Sequence, residues 1–426
     1  MRFPSIILLL ACLVLVPRAL VAQDFSPDLQ LAERYSDLVR KALSGKPDDQ
    51  RKLADALRLG DGVAQNHPEA ARWYRKAANH GDLESQVSLG YLYAQGKGVK
   101  RSDAQAFRWF LRAAANGSIV GQFDVGMVYY TGAGVPANHA EAVRWLRKAA
   151  EAGFAPAQAN LGWLYATGDG VAADLSQALH WLRKAASADE VHGQYNLARL
   201  YSSGRLGSED YAQAARWYLR AAEGGLASAQ YSLGYLYADG RGVPKDLEQA
   251  RRWFLAAAQQ DDRDAEFSMG YLYKWGRGVP RDLDRAAEWY GKAAEQGEPH
   301  AQLELGYLYA SGQGVPADLS QAIRWYRLAA RQGLPRAEYI LGVFNEEGIG
   351  LRRNLKQAAD WYRKAAAQGF AEAQEKLSRL QAGGQREAFM AKPTLTSLPL
   401  PVAFDRRRPL LGRIASEAGF QASRPH

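Results

Sequence analysis

The sequence predicts an all-α fold: an α/α solenoid superhelix of about nine 36-residue helix-loop-helix repeats with terminal capping helices. Tryptophan recurs at Trp73, Trp109, Trp145, Trp181, Trp217, Trp253, Trp289, Trp325 and Trp361, every step being 36 residues, and a fixed period of that length marks a repeat architecture. Alanine stands three residues before each tryptophan, from Ala70 to Ala358, and again four and five residues after it, from Ala77-Ala78 to Ala365-Ala366. Intervals of three and four place these positions on one helical stripe, small at two levels with an indole between, where a neighbouring helix can approach closely. Invariance across the repeats marks the tryptophans themselves as core.

Each unit is legible in order. A first helix carries Leu89-Gly90 and Tyr93, repeated as Leu161-Gly162 with Tyr165, Leu233-Gly234 with Tyr237 and Leu305-Gly306 with Tyr309. Paired glycines, as in Gly96-Lys97-Gly98-Val99, then turn the chain. The second helix opens on Asn66, Ser102, Asn138, Asp174, Asp210, Asp246, Asp282, Asp318 or Asn354, all good N-cap residues. Glutamate or glutamine follows three positions later in eight of the nine, Arg285 being the exception, which is a capping-box pattern. Gly81, Gly117, Gly153, Gly225, Gly297, Gly333 and Gly369 stop these helices. Such a unit cannot bury its apolar face alone and is stabilised by stacking. The fifth repeat departs: Gly204-Arg205-Leu206-Gly207-Ser208 replaces the usual loop and Asp189 the closing glycine, which breaks the uniformity of the superhelix there.

Outside the repeats, residues 1–22 read as an export signal, with Arg2 as the positive start, Ile6 to Val16 as the apolar stretch and Leu20, Val21 and Ala22 as a small-residue exit. Pro17 and Arg18 interrupt that stretch, which disfavours a retained anchor, and Leu9 to Cys12 offers a lipoprotein box as the other alternative. Membrane association follows only if this segment is retained or lipidated. Residues 23–45 read as an N-terminal capping helix opened by Ser26-Pro27, 46–381 as the solenoid, with Phe370 to Leu380 closing its core, and 382–426 as a disordered Pro-rich basic tail containing Arg406-Arg407-Arg408. Cys12 is the only cysteine and lies in the segment expected to be removed, so no disulfide or thiolate site is expected. A net charge of +9 favours anionic partners, and export argues against nucleic acid.

The pattern A-x-x-x-L-G-x-x-Y-x-x-G-x-G-V-x-x-D-x-x-x-A-x-x-W-Y-x-x-A-A-x-x-G, intact from Ala301 to Gly333, resembles the Sel-one-like repeat, a relative of the tetratricopeptide repeat. The copy from Ala229 to Asp261 matches it except at Phe254 and Asp261. The resemblance implies an adaptor or scaffold, in bacteria periplasmic. A cysteine-rich branch linked to β-lactam hydrolysis is left aside, because this chain lacks its cysteines.

If the first helix of each pair lines the inner curve, as in similar solenoids, the positions of Val87 and Tyr91 face a groove. They hold Tyr91, Phe123, Trp163, Tyr195, Tyr231, Tyr235, Phe267, Tyr271, Tyr307 and Tyr339. Such rings suit peptides, helices or sugars, and the competing reading is that they pack on one another. Trp275 stands where Gln95, Thr131, Thr167, Ser203, Asp239 and Ser311 stand in other repeats, and reads as a contact anchor or as local packing. Basic pairs such as Arg75-Lys76 and Arg363-Lys364 near helix C-termini read as a solvated face complementing the helix dipole. No catalytic signature appears in a supporting context, the histidines form no metal-spaced cluster, and no cofactor is expected. The expected function is therefore a non-enzymatic, periplasmic or secreted scaffold for a protein partner, with a polysaccharide or peptidoglycan binder as alternative and a cell-wall or β-lactam hydrolase as a lesser one.

Overall fold

A computed structural model describes residues 27–383; the expected export signal and the tail from 384 lie outside the described residues. Among the described residues the chain is twenty α-helices without a strand, an α/α solenoid built from helix pairs. It divides after Ala149 into two units. The first holds α1 (Pro27–Ala42), α2 (Pro47–Leu59), α3 (His67–Asn79), α4 (Leu83–Gln95), α5 (Asp103–Ala115), α6 (Ile119–Thr131) and most of α7 (His139–Glu151). The second holds α8 (Ala155–Thr167), α9 (Leu175–Ser187), α10 (Val191–Ser202), α11 (Tyr211–Glu223), α12 (Ala227–Asp239), α13 (Leu247–Ala258) and α14 (Arg263–Trp275). It continues through α15 (Leu283–Glu295), α16 (Pro299–Ser311), α17 (Leu319–Arg331), α18 (Pro335–Glu347), α19 (Leu355–Ala367) and α20 (Ala371–Gly383).

The deepest core residue is not the repeated tryptophan but the one after it. Tyr74, Leu146, Leu182, Tyr290 and Tyr362 are fully buried, and Phe110, Tyr218, Phe254 and Tyr326 nearly so. Each lies against the glycine or alanine of its unit's first helix. A Cβ placed on Gly126 would stand 2.7 Å from Cγ of Leu146, on Gly270 2.6 Å from Cδ1 of Tyr290, and on Gly306 2.8 Å from Cε1 of Tyr326. The glycine is thus a socket for that side chain, and its cost to helix propensity is offset by close packing.

Of the nine repeated tryptophans only Trp73, Trp181 and Trp325 are buried; the other six are half-buried. This corrects the expectation that all are interior. The basic residues that follow are not merely solvated: Lys76 Nζ lies 3.9 Å from the Trp73 ring centre, Lys148 4.1 Å from Trp145, Lys292 4.3 Å from Trp289 and Lys364 4.5 Å from Trp361. Each lysine sets its ammonium over an indole face while remaining exposed to water.

Every second helix is capped as its sequence predicts; for example Asp282 Oδ1 accepts from the Arg285 amide at 3.0 Å, and Asn138 Oδ1 from the Glu141 amide at 3.1 Å. The reciprocal arm of the capping box is replaced. The cap residue's own N–H donates to the preceding helix instead, Asp282 to Tyr273 O at 3.0 Å and Asp318 to Tyr309 O at 2.9 Å. A helix cap becomes a tie between the two helices of a pair. The fifth repeat keeps this tie, Asp210 N donating to Tyr201 O at 2.9 Å, although α10 ends at Ser202 with the right-handed Ser203, not a left-handed glycine, as its cap. Asp189 and Asp261, where glycine is expected, adopt the glycine conformation with φ of 55° and 59°, which aspartate tolerates better than most residues. At the C-terminal end α20 seats Ala373 and Leu377 against Tyr362 and closes the core.

One register position of the first helices is polar and buried, held by Asp124 in the first unit and by Asn160, Asn196, Ser232 and Ser268 in the second. Asp124 accepts from Tyr91 Oη at 2.7 Å through Oδ1, while Oδ2 has no hydrogen-bond partner among the described residues. Burial pushes its carboxyl up to about 7, opposed by the Tyr91 hydrogen bond.

Gly306→Ala should destabilise the protein by about 1–3 kcal/mol, because the methyl group displaces the Tyr326 ring; urea unfolding checks this, and an unchanged midpoint contradicts the socket. Because the folded carboxyl of Asp124 keeps its proton to higher pH than the unfolded one, the stability it contributes is complete below about pH 4 and lost as pH rises through about 7. Asp124→Asn, which installs the residue found at Asn160 and Asn196, should remove that slope, so that the variant exceeds the natural protein by a few kcal/mol near neutrality and matches it in acid, as measured by unfolding across pH.

Candidate functional site

The structure separates the two rows of candidate aromatics. Phe123, Tyr195 and Phe267, in the row of Val87, are buried, and Tyr231 and Tyr339 are half-buried. Most of this row packs on the ring that follows the repeated tryptophan: Tyr195 lies 5.7 Å from Tyr218, Tyr231 5.7 Å from Phe254, Phe267 5.6 Å from Tyr290 and Tyr339 5.7 Å from Tyr362. Tyr339 also meets Phe370 at 5.2 Å. Tyr235, in the other row, is buried too and donates to Asp239 Oδ2 at 2.9 Å. For Phe123, Tyr195, Tyr235 and Phe267 the expectation of groove-facing rings is corrected: at their helix's apposition to the next pair they fill the core, and a partner cannot reach them without repacking.

The row of Tyr91 is more open and interleaves rings with cations. In the first unit Tyr91 is half-buried, with its ring edge-on to Phe110 at 5.1 Å. In the second unit Trp163 is half-buried beneath Arg199, whose Cζ stands 4.5 Å from the indole and 5.7 Å from Tyr195. Tyr271 is half-buried beneath Arg277 at 5.3 Å, and Tyr307 beside Lys274 at 5.2 Å. Trp275 is 42% exposed, in contrast to the other tryptophans. Its ring lies 6.4 Å from Tyr271 and 5.1 Å from Lys274 Nζ.

Lys274 itself is a buried cation, and it is held by Glu304 as well as by the two rings. The pair was not anticipated, yet two departures from register announce it: Lys274 replaces the alanine of Ala94, Ala166, Ala238 and Ala310, and Glu304 replaces the serine of Ser232 and Ser268. The same register pairs Glu346 with Lys376 at 2.9 Å, with the charges exchanged. A buried pair of this kind contributes modestly to stability but holds its members in one geometry. Here it fixes the end of α14 and hence the Trp275 ring, while Arg281 Nε donates to Lys274 O at 3.3 Å across the following loop. The outcome is an aromatic platform, Tyr271, Trp275 and Tyr307, set among Lys274, Arg277 and Arg281.

Such a platform can stack on and desolvate a ligand's apolar groups while attracting carboxylates. Among the described residues no three His, Cys, Asp or Glu side chains gather as metal ligands, and no helix is long and apolar enough to cross a membrane.

The Sel1 repeat family model matches residues 47–82, 83–118, 119–154, 155–190, 191–226, 227–262, 263–298, 299–334 and 335–370. Among solved structures the chain is similar to c5321, a protective antigen of uropathogenic Escherichia coli strains with an SLR fold, at 30% identity over 85% of this chain and 84% of that one, with a TM-score of 0.66. A Sel1 repeat protein from Oxalobacter formigenes is 34% identical over 72% of this chain and 90% of that one, with a TM-score of 0.57. No curated protein gives a significant match. Sel1 repeat proteins are generally protein-interaction scaffolds without catalytic function. Nine contiguous matched repeats, each folded as the tied helix pair described above, place the chain in the Sel1 repeat family.

Proposed function

We propose that the chain is a non-enzymatic adaptor of the bacterial cell envelope that holds a protein partner on the first-helix surface of its second unit. The observation that carries this reading is Trp275: a large ring left 42% exposed, braced by Tyr271 and a buried ion pair, at a position occupied elsewhere by small or polar residues. Exposed, pre-positioned tryptophan beside arginine is the composition of interface hot spots, because a rigid ring buries much area at little entropic cost. The export-like start from Arg2 to Ala22 supports the envelope assignment. So does likeness to a relative described as a protective antigen.

Affinity capture from the native envelope with the purified chain should retain a protein partner. Trp275→Ala should weaken that complex at least about tenfold, with the fold intact by circular dichroism, since the substitution is on the surface. Equal affinity of the variant would contradict the assignment. Titration with envelope polysaccharide fragments should give no saturable signal, and saturation competing with the partner would favour a glycan role for the same rings.

A further inference from the structure

A second feature lies on a second helix rather than on a first one, and stands independently of the Trp275 surface. Between the start of α8 and one face of α9 is an open cleft of about 730 Å³, lined by Gly153, Gln158, Arg183, Lys184, Ser187 and Ala188 among others. The repeat explains why it is open. In the last four repeats the position of Ala188 holds glutamine, where the two flanking repeats carry Ala152 and Gly224, and its side chain reaches back into its own unit: Gln260 donates to Gln230 Oε1 at 2.9 Å, Gln296 to Glu266 at 2.8 Å and Gln368 to Glu338 at 2.9 Å. Gln332 shows the full set, its Nε2 donating to Gln302 Oε1 at 3.0 Å and to Gly297 O at 2.9 Å.

Four repeats earlier, the counterparts of Gln302 and Gly297 are Gln158 and Gly153, both in the cleft wall. Gln158 commits its own amide to Ala150 O at 3.0 Å, as Gln302 commits its to Ala294 O at 3.1 Å. Ala188 therefore leaves two carbonyl acceptors without the primary amide that Gln332 supplies to their counterparts.

The charge of the cleft is as specific as its shape. Arg183 donates to Tyr201 Oη at 2.8 Å and Lys184 lies over Trp181 at 4.9 Å, so both rest on neutral partners. No carboxylate lines the cleft, and His180 adds a third nitrogen base. Where Ser187 stands, other repeats carry Glu151, Glu223 and Glu295. The nearest acid in sequence, Asp189, accepts from the Gln194 amide at 3.4 Å. Two cations without a counter-ion among the described residues, next to two acceptors lacking an amide, define complementary chemistry.

We infer that this cleft binds an acidic peptide segment that inserts a glutamine or asparagine side chain toward Gln158 and Gly153 and sets flanking carboxylates on Arg183 and Lys184. The inserted amide takes the place that Gln332 fills from within its own chain.

The probe is the blocked tripeptide acetyl-Glu-Gln-Glu-amide, titrated onto the full chain by NMR or calorimetry. Saturation in the millimolar range is expected of so few contacts, with at least about tenfold weaker binding for the Glu-Ala-Glu and Lys-Gln-Lys analogues. Ala188→Gln should supply the amide internally, abolish binding and leave the unfolding midpoint unchanged or raised. Arg183→Glu should also abolish binding, and it guards against a fold defect in the first variant. Absence of saturation up to about 10 mM, equal binding by Ala188→Gln, or equal binding of the Glu-Ala-Glu analogue overturns the assignment. Saturable binding of an acidic oligosaccharide in preference to the peptide overturns its ligand class.

Discussion

The distance between the two helices of each repeat is set by one contact, the glycine of the first helix against the side chain that follows the repeated tryptophan. Gly306 receives Tyr326, Gly270 receives Tyr290 and Gly126 receives Leu146, each so closely that a single added carbon would collide. Where alanine replaces the glycine, as at Ala198 opposite Tyr218, it is itself fully buried. Dense packing of this kind transmits small changes, because interiors have no free volume to absorb them.

Polar ties work only at that separation. The cap residue of each second helix reaches a backbone carbonyl near the end of the first, a tyrosine's in most pairs, as Asp318 reaches Tyr309, and the glutamine of the first helix reaches an alanine carbonyl of the preceding one, as Gln302 reaches Ala294. Buried amides used in this way satisfy groups that would otherwise be costly, and they fix register as well as distance. The carboxylates at the same register positions, Asp124, Glu266, Glu304 and Glu338, are exceptions to a pattern otherwise held by neutral side chains, and burial raises the pKa of Asp124, Glu266 and Glu338.

Departures from the repeat are where chemistry accumulates. Lys274, Trp275 and Glu304 depart together and produce a braced, exposed ring; Ala188 lacks the glutamine of the last four repeats and Ser187 the glutamate of both flanking repeats, and together they border a basic cleft. Trp275 was legible in the sequence as an odd residue at a repeated position. Its ion pair was not, because Lys274 and Glu304 are separated in the chain and only the stacking of successive first helices brings them together. The aromatic rows were half legible: composition announced rings, but period alone could not tell the position of Tyr195, which is core, from that of Trp163, which is half-exposed beneath Arg199.

By itself the sequence determined the fold class, the length of the repeat, the helix starts and the glycine turns, because these depend on local propensity and on a period that the successive copies display. It also marked Trp275 as anomalous. Tertiary structure alone decided that the residue after each tryptophan is the true core, that lysines cover the indoles, that the capping boxes exchange one arm for a tie between helices, and that four of the candidate rings are interior. The physical reason is the same in each case. These outcomes depend on which face of one helix meets its neighbour, and that is settled by the closeness of packing around glycine rather than by the pattern along either helix.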